Sequence, residues 1–365
     1  MPFDVREFPA GAEAVARNRR LVGGWLLAVA GMVFVMVVLG GATRLTGSGL
    51  SIMEWAPFRG TLPPLDDAEW RRLFRLYQHI PQYALLHDGF GLAGFRRIFW
   101  LEWTHRLWGR LVGIAFLGPL IWFWARGAIE RWLRPRLVLL FLLGGLQGAV
   151  GWFMVASGFF PDSTAVSPYR LVVHLALALV LYAALLWTGL SVLRPAPVAA
   201  PAAPRRLLLA VVALVALTIL AGGFTAGLHA GRVFNTFPLM DGRLLPAGYA
   251  DLVPFLRNLT ENVAAVQFDH RLLATATALL AAATVAIGLA RRQPPALRRA
   301  LAALGALVAL QYALGVATLL RAAPAVLATA HQAGAVLLLT AAIAALHAAR
   351  GAVPARALTL ITETT

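Results

Sequence analysis

Residues 104–125, THRLWGRLVGIAFLGPLIWFWA, run from a histidine–arginine pair straight into an apolar stretch. A hydrocarbon core of roughly 30 Å takes about 20 helical residues at about 1.5 Å each, so 107–125 reads as a membrane span with His105 at its entrance. Three other apolar stretches carry a histidine in the same way: His174, His270 and His331. Polar groups are expensive in such segments, so each histidine is a candidate functional residue.

The rest of the chain agrees with that reading. It has 365 residues, of which 60% are hydrophobic and 13% charged, and a mean hydropathy of +0.74, which excludes an ordinary soluble domain. Eight stretches are long enough to span a bilayer: 21–39, 107–125, 137–156, 171–193, 207–228, 272–290, 300–320 and 325–349. The fold class is therefore an all-α integral membrane protein with eight transmembrane helices.

The net charge of +16 does not point to nucleic acid, because the arginines sit in short connections between spans rather than on one soluble face. Arg17, Arg19 and Arg20 precede the first span, and Arg126, Arg131, Arg134 and Arg136 lie between the second and third. Arg205 and Arg206 precede the fifth, Arg291, Arg292, Arg298 and Arg299 lie between the sixth and seventh, and Arg350 and Arg356 follow the eighth. The positive-inside rule then puts both termini in the cytoplasm and the long 1–2 and 5–6 loops outside. All 32 basic residues are arginine and there is no cysteine. Disulfides, thiolate ligands and covalent CxxCH heme attachment are thereby excluded. Asp4, Glu7 and Glu13 are unlike an acidic-poor transit peptide, so a bacterial inner membrane is the expected location.

Spans 1–4 and 5–8 read as copies. Gly40-Gly41 matches Gly222-Gly223, His105-Arg106 matches His270-Arg271, and Leu146-Gln147 matches Leu310-Gln311. Each half has an even number of spans, so the halves share one orientation. Two tandem four-helix bundles, 1–200 and 201–365, are expected about a pseudo-twofold axis along the membrane normal. Gly144 and Gly148 read as a small-xxx-small pair for close helix packing or as room for a flat macrocycle, and Asp66 to Tyr83 as an Asp66-capped amphipathic helix lying in the interface.

Histidine is the usual axial ligand of b-type heme, and a four-helix bundle can offer two imidazoles to one macrocycle. The topology puts both pairs, His105 with His174 and His270 with His331, near the outer surface. Two hemes at one depth make a poor electron wire across the bilayer and favour chemistry between neighbours. Arg106, Arg271 and Arg170 lie beside the ligands, where they pair with heme propionates or snorkel to the interface. Glu102 shares the face of His105, whereas the second half has Gln267 there, with Asp269 pointing elsewhere. All 11 tryptophans precede position 188. Both asymmetries make the first half the reactive one. His79, His87 and His229 read as solvated outer-loop residues, with His79 or His229 also able to approach a heme edge, and His347 as structural.

The run Gly40-Gly41-Ala42-Thr43-Arg44-Leu45-Thr46-Gly47-Ser48-Gly49-Leu50-Ser51, followed by Trp55, Pro57, Gly60, Pro63-Pro64 and Phe99 to Arg106, resembles the heme A synthase family. Phe268-Asp269-His270-Arg271 and Ala330-His331-Gln332 extend the likeness across all eight spans, closest to the cysteine-free form of alphaproteobacteria and mitochondria. The resemblance implies oxidation of a methyl group of heme O to the formyl group of heme A, for cytochrome oxidase. It assigns substrate heme O to His105 and His174, a resident heme b to His270 and His331, and catalysis to Glu102. Iron held by two histidines has no open position, so either one ligand leaves or the macrocycle edge is oxidised with water as nucleophile. Glu102 would orient that water or stabilise positive charge at the methyl. Heme O synthase, oxidase assembly factors, an electron-transfer partner and membrane lipid are the implied partners. A diheme quinol-oxidising cytochrome b and a heme transporter or chaperone are the competing readings.

Overall fold

The structure is a computed structural model that describes residues 10–56, 59–161, 163–194 and 205–350. Asp4, Glu7, Pro57, Arg356 and the 200/201 boundary between the two expected halves lie outside the described residues. Helices α1 (Ala10–Leu45), α4 (Leu92–Ala125), α5 (Arg134–Ala156), α6 (Pro168–Leu193), α7 (Arg205–Gly227), α9 (Val263–Leu289), α10 (Pro295–Leu320) and α11 (Ala325–Ala348) are each long and apolar enough to cross a membrane. The shorter α2 (Asp67–Gln78) and α3 (Pro81–Leu86) occupy the 1–2 loop, and α8 (Asn258–Glu261) the 5–6 loop. Among the described residues there is no strand, only an isolated bridge between Met240 and Arg243.

Proline opens three of the spanning helices, at Pro168 and Pro295 in the first turn and Pro135 behind Arg134, where its missing N–H is not needed. Asn262 caps α9 by accepting from the backbone N–H groups of Ala264 and Ala265 at 2.9 and 3.3 Å.

Two helices start well before their apolar runs. The α4 helix begins at Leu92 rather than near 107, because Phe95, Ile98, Phe99 and Glu102 form a buried stripe at helical spacing. The α9 helix begins at Val263 rather than 272. His105 and His270 therefore lie well inside continuous helices, not at their entrances.

The Asp66–Tyr83 expectation is corrected too. Asp66 does cap α2, accepting from Glu69 N at 2.8 Å, but the helix ends at Gln78 and a separate turn starts at Pro81. Ile80, before the proline, is extended at φ −96°, ψ 151°, as the clash of an X–Pro pair requires. Its apolar face is covered by protein: Trp70 and Tyr77 are buried against Phe95 and Phe99 of α4, with Leu73 and Ile80 in the same cluster. This cap adds a second, aromatic core to the main one.

In the first half α1 packs between α4 and α6, and α5 lies on α6. In the second, α7 packs between α9 and α11, and α10 lies on α11. The halves meet where α1 touches α11, and where α6 touches α7 and α11. At that meeting a Cβ on Gly41 would come within 2.0 Å of the Gln332 amide, and one on Gly223 within 3.0 Å of Val172 and 3.3 Å of Leu175. Gln332 donates to the Val37 carbonyl at 2.8 Å, and Tyr182 and Thr340 share a hydrogen bond of 2.6 Å.

The close helix approach expected at Gly144 and Gly148 is not found there. A Cβ at either position meets nothing within 4 Å, because α5 leans on α6 with only light contact to α4 and turns this face outward. The small-residue contact lies at Gly23 and Gly189, where a Cβ on each would sit 3.3 and 3.4 Å from the other's carbonyl oxygen. There α1 and α6 approach backbone to backbone. At the same end Arg19 pairs with Glu130 at 2.6 Å, tying the start of α1 to the arginine-rich α4–α5 connection.

Candidate functional site

Each of the four histidines lies against a glycine of a neighbouring helix. A Cβ on Gly40 of α1 would stand 3.0 Å from His105 of α4, and one on Gly151 of α5 would stand 2.8 Å from His174 of α6. In the second half Gly222 of α7 faces His270 of α9 at 3.0 Å, and Gly315 of α10 faces His331 of α11 at 2.8 Å. At Gly151 and Gly315 that is closer than real Cβ atoms come, and at Gly40 and Gly222 it is tighter than most, so a Cβ at any of the four would press on the imidazole. His105 lies within electrostatic reach of His174, and His270 of His331.

A glutamine one turn from the second glycine of each half braces the second histidine. Gln147 donates to the His174 carbonyl at 3.1 Å and approaches its ring at 3.4 Å. Gln311 does the same to His331, at 2.9 Å to the carbonyl and 3.0 Å to the ring. The sequence offered both glutamines as repeat markers, but Gly151 and Gly315 were missed. The shared spacing Gln-x-x-x-Gly, at 147–151 and 311–315, was the available signal.

The donor set fits a heme ligated by paired imidazoles. Nδ1 of His174 and Nδ1 of His270 are both buried with no hydrogen-bond partner, while His270 keeps a hydrogen bond to the Thr218 backbone. An imidazole anchored by its surroundings, with a buried ring nitrogen left over, is what an axial ligand requires.

About one turn before each first histidine is a clamp onto the 1–2 or the 5–6 loop. Glu102 is buried at 2% exposure. One carboxylate oxygen accepts from Ser51 Oγ at 2.7 Å and Ile52 N at 2.9 Å, and the other from Arg106 Nε at 3.0 Å and Nη2 at 2.6 Å. Arg106 also donates to the carbonyls of Ile52 at 2.6 Å and Glu54 at 2.8 Å. The Glu54 side chain is held in turn by Arg72 at 2.8 Å, whose hydrogen bonds keep that carboxyl below its usual range. Arg106 also lies 5.6 Å over Trp152, whose indole stacks on Trp55.

The second clamp has the same plan without the charge. Gln267 donates to the Ala230 carbonyl at 2.8 Å, and Arg271 donates to Gln267 at 3.2 Å, Phe234 O at 2.6 Å and Thr236 O at 2.9 Å. Asp269 points away and receives the Tyr249 hydroxyl at 2.9 Å. Arg106 and Arg271, expected beside propionates, thus each direct two N–H groups at carbonyls of their own loops and others at Glu102 or Gln267, while Nε of Arg271 is buried with no hydrogen-bond partner. Arg170 lies 3.8 Å over the Phe153 ring and donates to its carbonyl at 2.8 Å.

The remaining histidines make other contacts. His79 is the C-cap of α2, and His87 hydrogen-bonds Tyr77 and stacks on Phe90, its pKa lowered by burial. His229 adopts a left-handed conformation at φ 54°. His347 bridges Ser191 and Arg350 at 3.2 and 2.6 Å, far along α11 from His331.

An eight-helix membrane-type bundle with two braced histidine pairs and one buried carboxylate defines a heme-handling protein. More particularly, the chain belongs to the COX15-CtaA family of cytochrome oxidase assembly proteins, whose model matches residues 23–343. It is 62% identical over 338 residues to heme A synthase of Granulibacter bethesdensis, covering 92% of this chain and 89% of that one. It is 49% identical to heme A synthase of Rhodospirillum centenum, over 85% and 83% of the two chains. It is 47% identical to heme A synthase 2 of Acidiphilium cryptum, over 84% and 85%. No solved structure matches the chain. None of these relatives carries the name of a quinol-oxidising cytochrome or a transporter, so those readings gain no support.

Proposed function

We propose that this chain oxidises a methyl group of heme O to the formyl group of heme A, supplying cytochrome oxidase assembly. His105 and His174 hold the substrate heme in the first bundle (1–200), and His270 and His331 hold heme b in the second (201–365). The two bundles are related by a pseudo-twofold axis along the membrane normal. The paired contacts of α1 with α11 and α7 with α6, and the four matching glycine–histidine contacts, support that symmetry. The chain resides in a bacterial inner membrane with both termini cytoplasmic and both sites toward the periplasm. Heme O synthase, oxidase assembly factors and an electron-transfer partner are its partners beside membrane lipid.

The observation that carries the reading is the single charged difference between two otherwise matching clamps: Glu102 with Arg106 in one half, Gln267 with Arg271 in the other. Each Glu102 oxygen already accepts two hydrogen bonds, which fills its lone-pair directions. Taking a proton would break one of them. Glu102 therefore acts as a fixed anion that favours positive charge developing at the reacting methyl, rather than as a mobile base. Arg106 holds that anion in place and the Ser48–Glu54 loop over it. When bound, heme b would supply one-electron transfer beside the substrate.

Pigment extraction tests the assignment. From cells that make heme O, the purified protein is expected to yield heme B together with heme O, heme A or a hydroxylated heme O. Heme B alone would overturn it.

A further inference from the structure

The expected propionate arginines hold loop carbonyls, yet one further guanidinium lies at the seam of the two halves. Arg44 reaches from the end of α1 to the end of α7 and donates through Nη2 to the carbonyls of Ala226 and Gly227 at 2.8 and 3.0 Å. Its Nε is buried and has no hydrogen-bond partner. Arg232 and His229, which start the 5–6 loop, lie within electrostatic reach of it. His229 is lowered from its usual pKa by burial first and by the charges of Arg44 and Arg232 next. Among the described residues no carboxylate lies within salt-bridge distance of Arg44 or Arg232. A cluster of cations that includes a buried, unspent N–H and lacks an anion is costly unless an anion joins it.

Its position says which anion. Arg44 is four residues beyond Gly40, the residue against His105, so it stands on the same face of α1 about 6 Å further out. Its acceptors Ala226 and Gly227 stand about one turn beyond Gly222, the residue against His270. We propose that Arg44, with Arg232 and His229 at its rim, is a carboxylate site for a propionate of the heme held by His105 and His174. This rests on the reading of the first half as a heme site. Arginine suits the task because its N–H groups make charge-assisted hydrogen bonds to a carboxylate; Nη2 is spent on the two α7 carbonyls, so Nε and Nη1 are the donors left for the propionate. The seam position would also let this substrate be recognised by residues of both halves.

Titration of heme O and of heme O dimethyl ester into protein purified from cells that make heme B but no heme O tests the site, with binding followed by the Soret band. Esterification removes the anionic charge and leaves the macrocycle intact. Wild-type protein is expected to bind the ester about tenfold more weakly or worse, as for loss of a charge-assisted pair. Arg44→Gln is expected to bind heme O that weakly and no longer distinguish it from the ester. Arg232→Gln, which touches neither α7 carbonyl, should lose part of the discrimination. Equal binding of heme O and its ester by wild-type protein, or full discrimination by Arg44→Gln, would overturn the site. The wild-type comparison decides the matter even where Arg44→Gln does not fold. A His105→Ala control separates the two claims: heme O binding that ignores His105 removes the first-half heme site, and this carboxylate site with it.

Discussion

Glu102→Gln gives a protein that folds, takes up heme, and converts heme O at least about 100-fold more slowly, the scale on which preorganised electrostatic groups act. The second half is the internal control for folding. Gln267 occupies the matching position, and its clamp to Arg271 and the Ala230 carbonyl stands without a carboxylate. The substituted side chain can still accept from Ser51 and Ile52, while Arg106 keeps the carbonyls of Ile52 and Glu54. What is lost is the buried negative charge, together with the acceptor of Arg106 Nε and Nη2, which an amide NH2 cannot replace. Quantifying heme A and hydroxylated heme O per bound heme measures the effect, and full conversion by the variant would remove Glu102 from the chemistry.

The second large effect is confined to one half at a time. Gly151→Ala puts a Cβ 2.8 Å from the His174 ring, and Gly315→Ala puts one 2.8 Å from His331. Alanine is the better helix former by about 1 kcal/mol, so a loss cannot come from helix propensity. The ring must move, and displaced ligand geometry typically costs about 10- to 100-fold in affinity. Gly151→Ala should deplete heme O and heme A while sparing heme B, and Gly315→Ala should do the reverse. Gly148→Ala, one helical turn from Gly151 with open space around it, should leave both pigments at wild-type levels. Equal loss of both pigments from either cradle variant would mean that the halves do not hold separate hemes.

The spans, the four candidate histidines and the Glu102/Gln267 difference were legible because each is a local signal. An apolar run has a length, a histidine within it stands out, and a repeat aligns two halves by eye. What was hidden depends on partners far away in the chain. Hydropathy marks the hydrocarbon crossing and not the helix, so the first turns of α4 and α9 went unseen; Phe95, Ile98 and Phe99 become a buried stripe only once α2 lies on them. Glycine spacing alone could not say which face of α5 meets a helix. Gly144 and Gly148 fit the close-packing pattern and pack against nothing, whereas Gly23 and Gly189, in different helices, make the real contact. Arg106 and Arg271 were visible beside their histidines, but their engagement with loop carbonyls follows from how the 1–2 and 5–6 loops fold back.

The proposed division of labour gives one half the substrate heme and the other the resident heme. Pigments extracted from His105→Ala and His270→Ala, expressed side by side in cells that make both heme B and heme O, test it most directly. His105→Ala is expected to keep heme B and lose heme O and heme A, while His270→Ala loses heme B. The opposite assignment, or the same pigment loss from both variants, would contradict it.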